Sequence, residues 1–303
     1  MADNAPRVAA ATPAHADEAA ERLIVVVGAT GTQGGAVVDA LLTAPSPWRV
    51  RALTRNPTGA RAIALAARGV EVVRADMADA TSLRPALRGA YGVFSVQNTR
   101  TAGRTGEVHQ GITLADAAQA AGVAHLVYSS VGGVERVRGI PHFDTKWEIE
   151  QQLRRMDVPH TVLRPSAFMT IFTMRGAAIG LGMMAAALGS AKPLQMIAPE
   201  DIGVFARIAF ERPETYLGQA IEIAGDELTI PQIAAALRDA GRPSRYPRIP
   251  RALLRLLGKE SRMLLWFGES GYQADIPALR TIHPGLMTLR DWLARTGAPT
   301  PTH

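Results

Sequence analysis

The sequence predicts an α/β protein, a doubly wound parallel sheet with a smaller, mostly helical cap in the C-terminal half. Three observations predict it. Short apolar runs of strand length alternate with helix-length stretches through the first half of the 303 residues. Those runs are apolar on both faces, as strands buried between two helix layers must be. A glycine-rich turn, GATGTQGG at 28–35, stands between the first run and the first helical stretch. Right-handed crossovers then place helices on both sides of the sheet.

The elements follow in order. Residues 1–20 are alanine-rich, with mixed charge and two prolines. They lack the basic start and apolar centre of a secretory leader and are expected to form a disordered extension. The first strand is 23–27, LIVVV, and the glycine turn leads to a helix through 36–42. A second strand, 48–54, precedes a helix at 58–68 that Gly69 ends. A third strand, 70–76, precedes a helix over 80–87, closed by Gly89. The fourth strand is 91–96, the next helix 107–121, closed by Gly122, and the fifth strand 123–130. A helix over 144–156 and a sixth strand, 158–165, complete a domain spanning 21–165.

Beyond Pro165 the rhythm loosens. Residues 166–195 are rich in Met, Gly and Ala. Residues 201–210 read as a helix and 219–225 as a strand, so 200–225 is expected to return to the sheet. Helices follow near 230–240 and 250–258, then the aromatic stretch MLLWFGESGY. Thr288 is placed to cap a last helix, LRDWLART, before a tail. Residues 166–199 and 226–303 are therefore expected to form the cap.

Composition removes several function classes. The chain has no cysteine, which excludes disulfides, thiolate metal sites and cysteine nucleophiles. Its seven histidines show no HxxxH or HExxH spacing, so no metal site is expected. The net charge is +6, but the arginines that supply it are scattered, and no nucleic-acid partner is expected. The longest apolar run, 176–191, is short and glycine-rich against the roughly 20 residues of a membrane span. A cytoplasmic location without membrane contact is expected. Only three lysines occur, Lys146, Lys192 and Lys259, so a lysine in a motif stands out from the background.

The glycine turn carries chemistry. Gly28 permits the sharp exit from the strand, Gly31 lets backbone approach a pyrophosphate, and Gly34 allows helix and strand to pack closely. With Thr30, Thr32 and Gln33, they place the N–H groups of a helix start against phosphates. Such a triplet at the first strand–helix junction of a doubly wound sheet is a dinucleotide fingerprint, and the domain is Rossmann-like. The second strand ends in Thr54-Arg55, with no acid to grip ribose hydroxyls. Arg55 can pair bidentately with a 2′-phosphate, which points to NADP(H). Asp76 and Met77 end the third strand, either bordering the adenine or, for Asp76, starting a helix.

Taken in order, GATGTQGG, TRNP, RADMAD, VYSS and PHFDTKWEIEQQL resemble the NmrA-like family of atypical short-chain dehydrogenase/reductases. The resemblance runs from about residue 23 to 292, through MIAPEDIG and HPGLMTLRDWL. It implies an NADP(H)-binding Rossmann domain with a small C-terminal cap. It implies either a reductase of quinones, dyes or related small molecules, or a redox sensor that binds NADP(H) and a regulatory partner.

The reacting end is less regular. The usual reductase pair, Tyr-x-x-x-Lys, sets two side chains one turn apart on a helix. None of the five tyrosines (91, 128, 216, 246 and 272) has a lysine four residues later. The resemblance makes Lys146 the retained lysine, which binds the nicotinamide ribose and can donate a proton. His142 has the missing tyrosine's spacing, and imidazole can carry a proton. Pro141 before it leaves open whether it lies within the helix. Ser130 ends the fifth strand at the carboxyl edge and is a candidate to orient a substrate carbonyl. Val96, Gln97 and Asn98 end the fourth strand at the same edge. The resemblance places Pro165 and Phe168 beside the nicotinamide. Met174, Met183, Met184, Trp266 and Phe267 are either an apolar substrate lining or cap core. The expected reaction is hydride transfer to a small apolar carbonyl, quinone, imine or enone. The alternative is a sensor without chemistry.

Overall fold

The computed structural model describes residues 22–45, 48–254, 258 and 261–297. The predicted extension at 1–20, most of the tail and part of the 250–258 helix lie outside the described residues. LIVVV forms β1 (Leu23–Val27), buried along its whole length. Its neighbours are β2 (Arg49–Thr54) and β4 (Ala90–Ser95), both parallel to it. Outside β2 lies β3 (Glu71–Arg74). Outside β4 come β5 (His125–Ser129), β6 (His160–Pro165) and β9 (Ala220–Ile223). The order is β3-β2-β1-β4-β5-β6-β9, with every neighbouring pair parallel. The strand order reverses at β1, so the carboxyl edge between β1 and β4 is the place where such sheets bind ligands.

The crossovers are helical. They are α1 (Thr32–Leu42), α2 (Ala60–Ala66), α3 (Ala80–Ala86), α4 (Thr99–Ala120) and α5 (Pro141–Leu153). α4 starts eight residues before the predicted 107 and is broken at Gly103, whose φ of 68° no helix accommodates. α5 starts three residues before the predicted 144. Pro141 occupies its first position, where the missing N–H costs nothing. The MIAPEDIG segment leads into α7 (Pro199–Glu211), which lies directly on α1. A Cβ at Gly203 would stand 2.2 Å from the Ala36 carbonyl oxygen, so the two backbones touch. The short α8 (Pro213–Tyr216) then feeds β9.

A second sheet escaped the sequence pattern. It joins β7 (Ala167–Phe168), β8 (Pro193–Ile197) and β10 (Asp226–Thr229) in the order β10-β8-β7. Helices α6 (Ala177–Leu188), α9 (Ile230–Asp239), α10 (Arg251–Leu254), α11 (Ser261–Glu269), α12 (Ile276–Ile282) and α13 (Leu289–Thr296) complete the C-terminal half. Thr288 caps α13, and Asp291 returns the bond to the Thr288 amide. Met184, Trp266 and Phe267 pack into one apolar cluster with Phe143, Ile233 and Trp292. Met174 is exposed, and Met183 packs at the edge of the cluster.

A chain of ion pairs ties these layers together. Arg164 of β6 takes both oxygens of the buried Glu150 of α5, at 3.1 and 2.7 Å. It also meets Glu135 at 2.8 Å. Arg136 continues the chain to Glu222 of β9 at 2.9 Å, and Glu222 accepts the Gln273 amide at 2.7 Å.

One buried group sets a pH limit on the fold. The His125 ring meets the Thr161 hydroxyl at 2.7 Å, and that hydroxyl donates to the Tyr216 carbonyl. Thr161 can therefore only accept from the ring. Burial, then repulsion from His160, pushes the His125 pKa down to about 4 from 6.5. The fold thus binds the neutral ring. Its stabilisation is complete above pH 6.5 and is lost as pH falls through the window from 6.5 to about 4. Urea unfolding is expected to show about 3 kcal/mol more loss across that window for wild type than for His125→Asn. Parallel pH profiles for the two proteins would contradict this.

Candidate functional site

At the carboxyl edge of the sheet lies a cleft of about 910 Å³, at the upper end of the usual range for ligand sites. The glycine turn forms its floor. Gly28 adopts φ 65°, and its carbonyl accepts the Gly31 amide at 2.8 Å. A Cβ at Gly34 would stand 2.3 Å from the Gly28 oxygen and 2.5 Å from its carbonyl carbon. Gly31 is the N-cap of α1 and has no side chain to satisfy the first amides. The helix start therefore presents bare N–H groups to the cleft.

One wall comes from the end of β2. The Asn56 amide donates to the Thr54 hydroxyl at 3.1 Å, a turn that holds Arg55 at the rim. Behind it, Arg61 of α2 donates to the Thr30 carbonyl at 2.9 Å, bridging that wall to the glycine turn. Arg55, Arg61 and Arg100 all line the cleft, and Asp76 is its one acid among the described residues. Asp76 is not the helix-start residue. Its side chain accepts the Ala78 amide at 2.9 Å, and Asp79 caps α3 instead. The Thr81 hydroxyl and amide hold the Asp79 carboxyl below its ordinary value.

The other wall comes from the end of β4. Gln97 is buried, and its Nε2 meets the Ser95 hydroxyl at 3.0 Å and the Met77 sulfur at 3.5 Å. Its Oε1 has no hydrogen-bond partner among the described residues. Asn98 caps α4, accepting the Thr101 amide at 3.1 Å. Gly28, Thr30, Gly31, Thr32, Gln33, Gly34, Arg55, Asp76, Met77, Val96, Gln97, Asn98 and Phe168 all line this one cleft. Lys146, His142, Ser130 and Pro165 do not.

Lys146 sits just behind the lining. Its ammonium donates to the Gln97 carbonyl at 3.1 Å and the Ser129 carbonyl at 3.4 Å. It pairs with Glu107 of α4 at 3.1 Å. His142 is the second residue of α5, so it lies within the helix, one turn before Lys146. Its ring meets Phe143 edge-on at 4.9 Å. Ser130 is buried, and its hydroxyl has no partner among the described residues. Ser129, not Ser130, reaches the glycine turn, donating to the Gln33 side chain at 2.6 Å. Tyr128 lies with its ring centroid 5.7 Å from the Lys146 ammonium. Burial, then Glu107 and Glu150, push its pKa well above the ordinary value.

Arg61, Arg100, Thr101 and Gln110 line the cleft without having been singled out in the sequence. The signal for Arg61 was its place six residues beyond Arg55, at the start of the next helix. Glu107 left no such signal, because an acid near a predicted helix start reads as a solvated residue. Among the described residues, no cluster of His, Asp and Glu is arranged to hold a metal, and no helix is long and apolar enough to cross a membrane.

This architecture can be compared with known proteins. A family model described as the NmrA-like family matches residues 20–283. The chain belongs to the NmrA-like family. This NmrA-like chain is 38% identical over 146 residues to an NmrA-like family domain-containing oxidoreductase, FrzB, of Cladobotryum sp. That match covers 44% of the chain and 42% of the relative, so the chain spans less than half of that relative's length. It is 34% identical over 232 residues to an NAD(P)H azoreductase of Xenophilus azovorans, covering 75% of the chain and 77% of the relative. Its fold matches the crystal structure of NmrA, a negative transcriptional regulator in complex with NADP, with a TM-score of 0.72 at 20% identity. That match covers 90% of this chain and 94% of the other.

Proposed function

We propose that this NmrA-like protein is an NADP(H)-dependent reductase of a small apolar acceptor, a carbonyl, quinone, imine or enone. The observation that carries the reading is the cleft itself. It joins a glycine floor that a Cβ would fill, an uncapped helix start and a rim of arginines. These features fit a dinucleotide that bears an additional phosphate. The buried Gln97 Oε1, without a partner among the described residues, supplies an acceptor for a ligand N–H. The likeness to an NAD(P)H azoreductase over three quarters of both chains supports a reductase.

In this reading the glycine turn and the first amides of α1 hold the pyrophosphate. Arg55, with Arg61 behind it, takes the 2′-phosphate. Asp76 and Met77 border the adenine, and Val96, Gln97, Asn98 and Phe168 surround the nicotinamide half, with Pro165 behind this lining. When bound, NADPH would supply a hydride to the acceptor. Lys146 holds positive charge near the carboxyl ends of β4 and β5 and stabilises negative charge that gathers on the acceptor. Ser130 orients the acceptor. The proton that balances the hydride comes from His142 or from water, because Tyr128 is fully buried and does not line the cleft.

The test is NADPH consumption over a panel of azo dyes, quinones and enones, with turnover expected for at least one class. Tight NADPH binding without any turnover would overturn the reductase in favour of a second reading. That second reading is an NADP(H) sensor with a regulatory protein partner. The missing tyrosine favours it, since a sensor needs no proton donor. It predicts different affinities for NADP⁺ and NADPH, because only differential binding shifts a conformational equilibrium. Equal affinities would count against the sensor.

A further inference from the structure

The Lys146 ammonium makes two hydrogen bonds and one ion pair among the described residues. The hydrogen bonds go to backbone carbonyls at the carboxyl ends of the sheet, Gln97 O at 3.1 Å and Ser129 O at 3.4 Å. The ion pair is with Glu107, whose Oε1 lies 3.1 Å from the ammonium. Glu107 projects from α4 and is fully buried. Its second oxygen accepts the Thr145 hydroxyl at 2.7 Å. One buried carboxylate therefore grips two adjacent side chains of α5.

The three contacts are not equivalent. A buried carboxylate is tolerated only beside a cation, so opening the ion pair strands a charge. The Ser129 contact at 3.4 Å is longer than an ordinary N–H···O bond and is the easiest to exchange. A lysine on a flexible four-carbon stem has no fixed direction unless it is tied. Here the tie comes from a different helix, 39 residues earlier in the chain than Lys146 itself (146 − 107).

We propose that Glu107 is the positioning residue of this site. It holds the Lys146 ammonium at the β4–β5 edge and stays paired while Lys146 exchanges a carbonyl for a hydroxyl of the nicotinamide ribose. The second half of this statement rests on the cofactor reading above. The tether itself does not.

The scarcity of lysine makes the test direct. Amine acetylation of the cofactor-free protein, followed peptide by peptide, reads Lys146 and Lys192 separately. Lys192 is an internal control, held by the Gly268 and Glu269 carbonyls at 2.8 Å each. Glu107→Gln keeps the size of the side chain and can still accept from Thr145, but removes the charge. Acetylation of Lys146 is expected to rise about tenfold with Lys192 unchanged, and the NADPH Kd to rise about tenfold, a modest share of the worth of a buried ion pair. Thr145→Val, which leaves the charge in place, is expected to raise Lys146 acetylation by a smaller factor and serves if Glu107→Gln does not fold.

Wild-type acetylation of Lys146 in these variants would overturn the tether, and so would an equal rise at Lys192. A rise at Lys146 with unchanged NADPH affinity would overturn its role toward the cofactor. If wild type itself binds no NADPH, the cofactor reading fails, while the acetylation result still decides whether Glu107 holds Lys146.

Discussion

Gly34→Ala is expected to abolish NADPH binding and to destabilise the fold by about 3 kcal/mol or more. The new Cβ would meet the Gly28 oxygen at 2.3 Å, the Gly28 carbonyl carbon at 2.5 Å and the Ala29 nitrogen at 2.8 Å. All three are backbone atoms, so no rotamer change relieves the overlap. The turn itself must move, and Gly28 is already held at φ 65° by the bond from the Gly31 amide. Displacing the turn also displaces the first amides of α1. The neighbouring Gly35 is the control. Its Cβ would lie 3.4 Å from the Ala29 oxygen, which is close to ordinary contact. Gly35→Ala is expected to stay within about 1 kcal/mol of wild type, since helix propensity favours alanine. Thermal unfolding and NADPH titration of the two variants check this. Equal behaviour would show that the close approach at Gly34 carries no energy.

The second large effect belongs to Lys146. Lys146→Met keeps the length of the stem and removes the charge, leaving Glu107 buried without its cation. Removing one partner of a buried pair costs about 3–5 kcal/mol. Adding Glu107→Gln removes the stranded charge, so the double variant is expected to recover most of that stability. Neither variant is expected to bind NADPH as wild type does. Urea unfolding of wild type, the single variants and the double variant gives the coupling. A Lys146→Met protein as stable as wild type would show that the pair is already solvated.

The parts of this molecule that were legible in its sequence share one property. They are local. LIVVV reads as a buried strand because burial on both faces leaves no polar position. The glycine turn is legible because its glycines answer to backbone a few residues away. The place of Arg55 on the cleft rim follows from strand-end position alone. The cap was less legible. β7 is two residues long, too short for any period. α6 is apolar nearly all round, so it lacks a stripe, and its Gly182 is explained only by the Pro247 carbonyl, 2.6 Å from where a Cβ would stand. The reacting end fails for the same reason. Ser129 matters through Gln33, 96 residues away, and Thr145 through Glu107, 38 residues away. Such pairings exist only once the sheet has formed.

In the proposed reading this cleft binds a dinucleotide with an additional phosphate on its arginine rim. Calorimetric titration of the protein with NADPH and with NADH tests this. NADPH is expected to bind about tenfold or more tightly, and Arg55→Ala with Arg61→Ala to erase the difference, because charge-assisted bonds to the phosphate supply it. Equal affinity for the two cofactors in wild type, or a preference that survives loss of both arginines, would contradict the account.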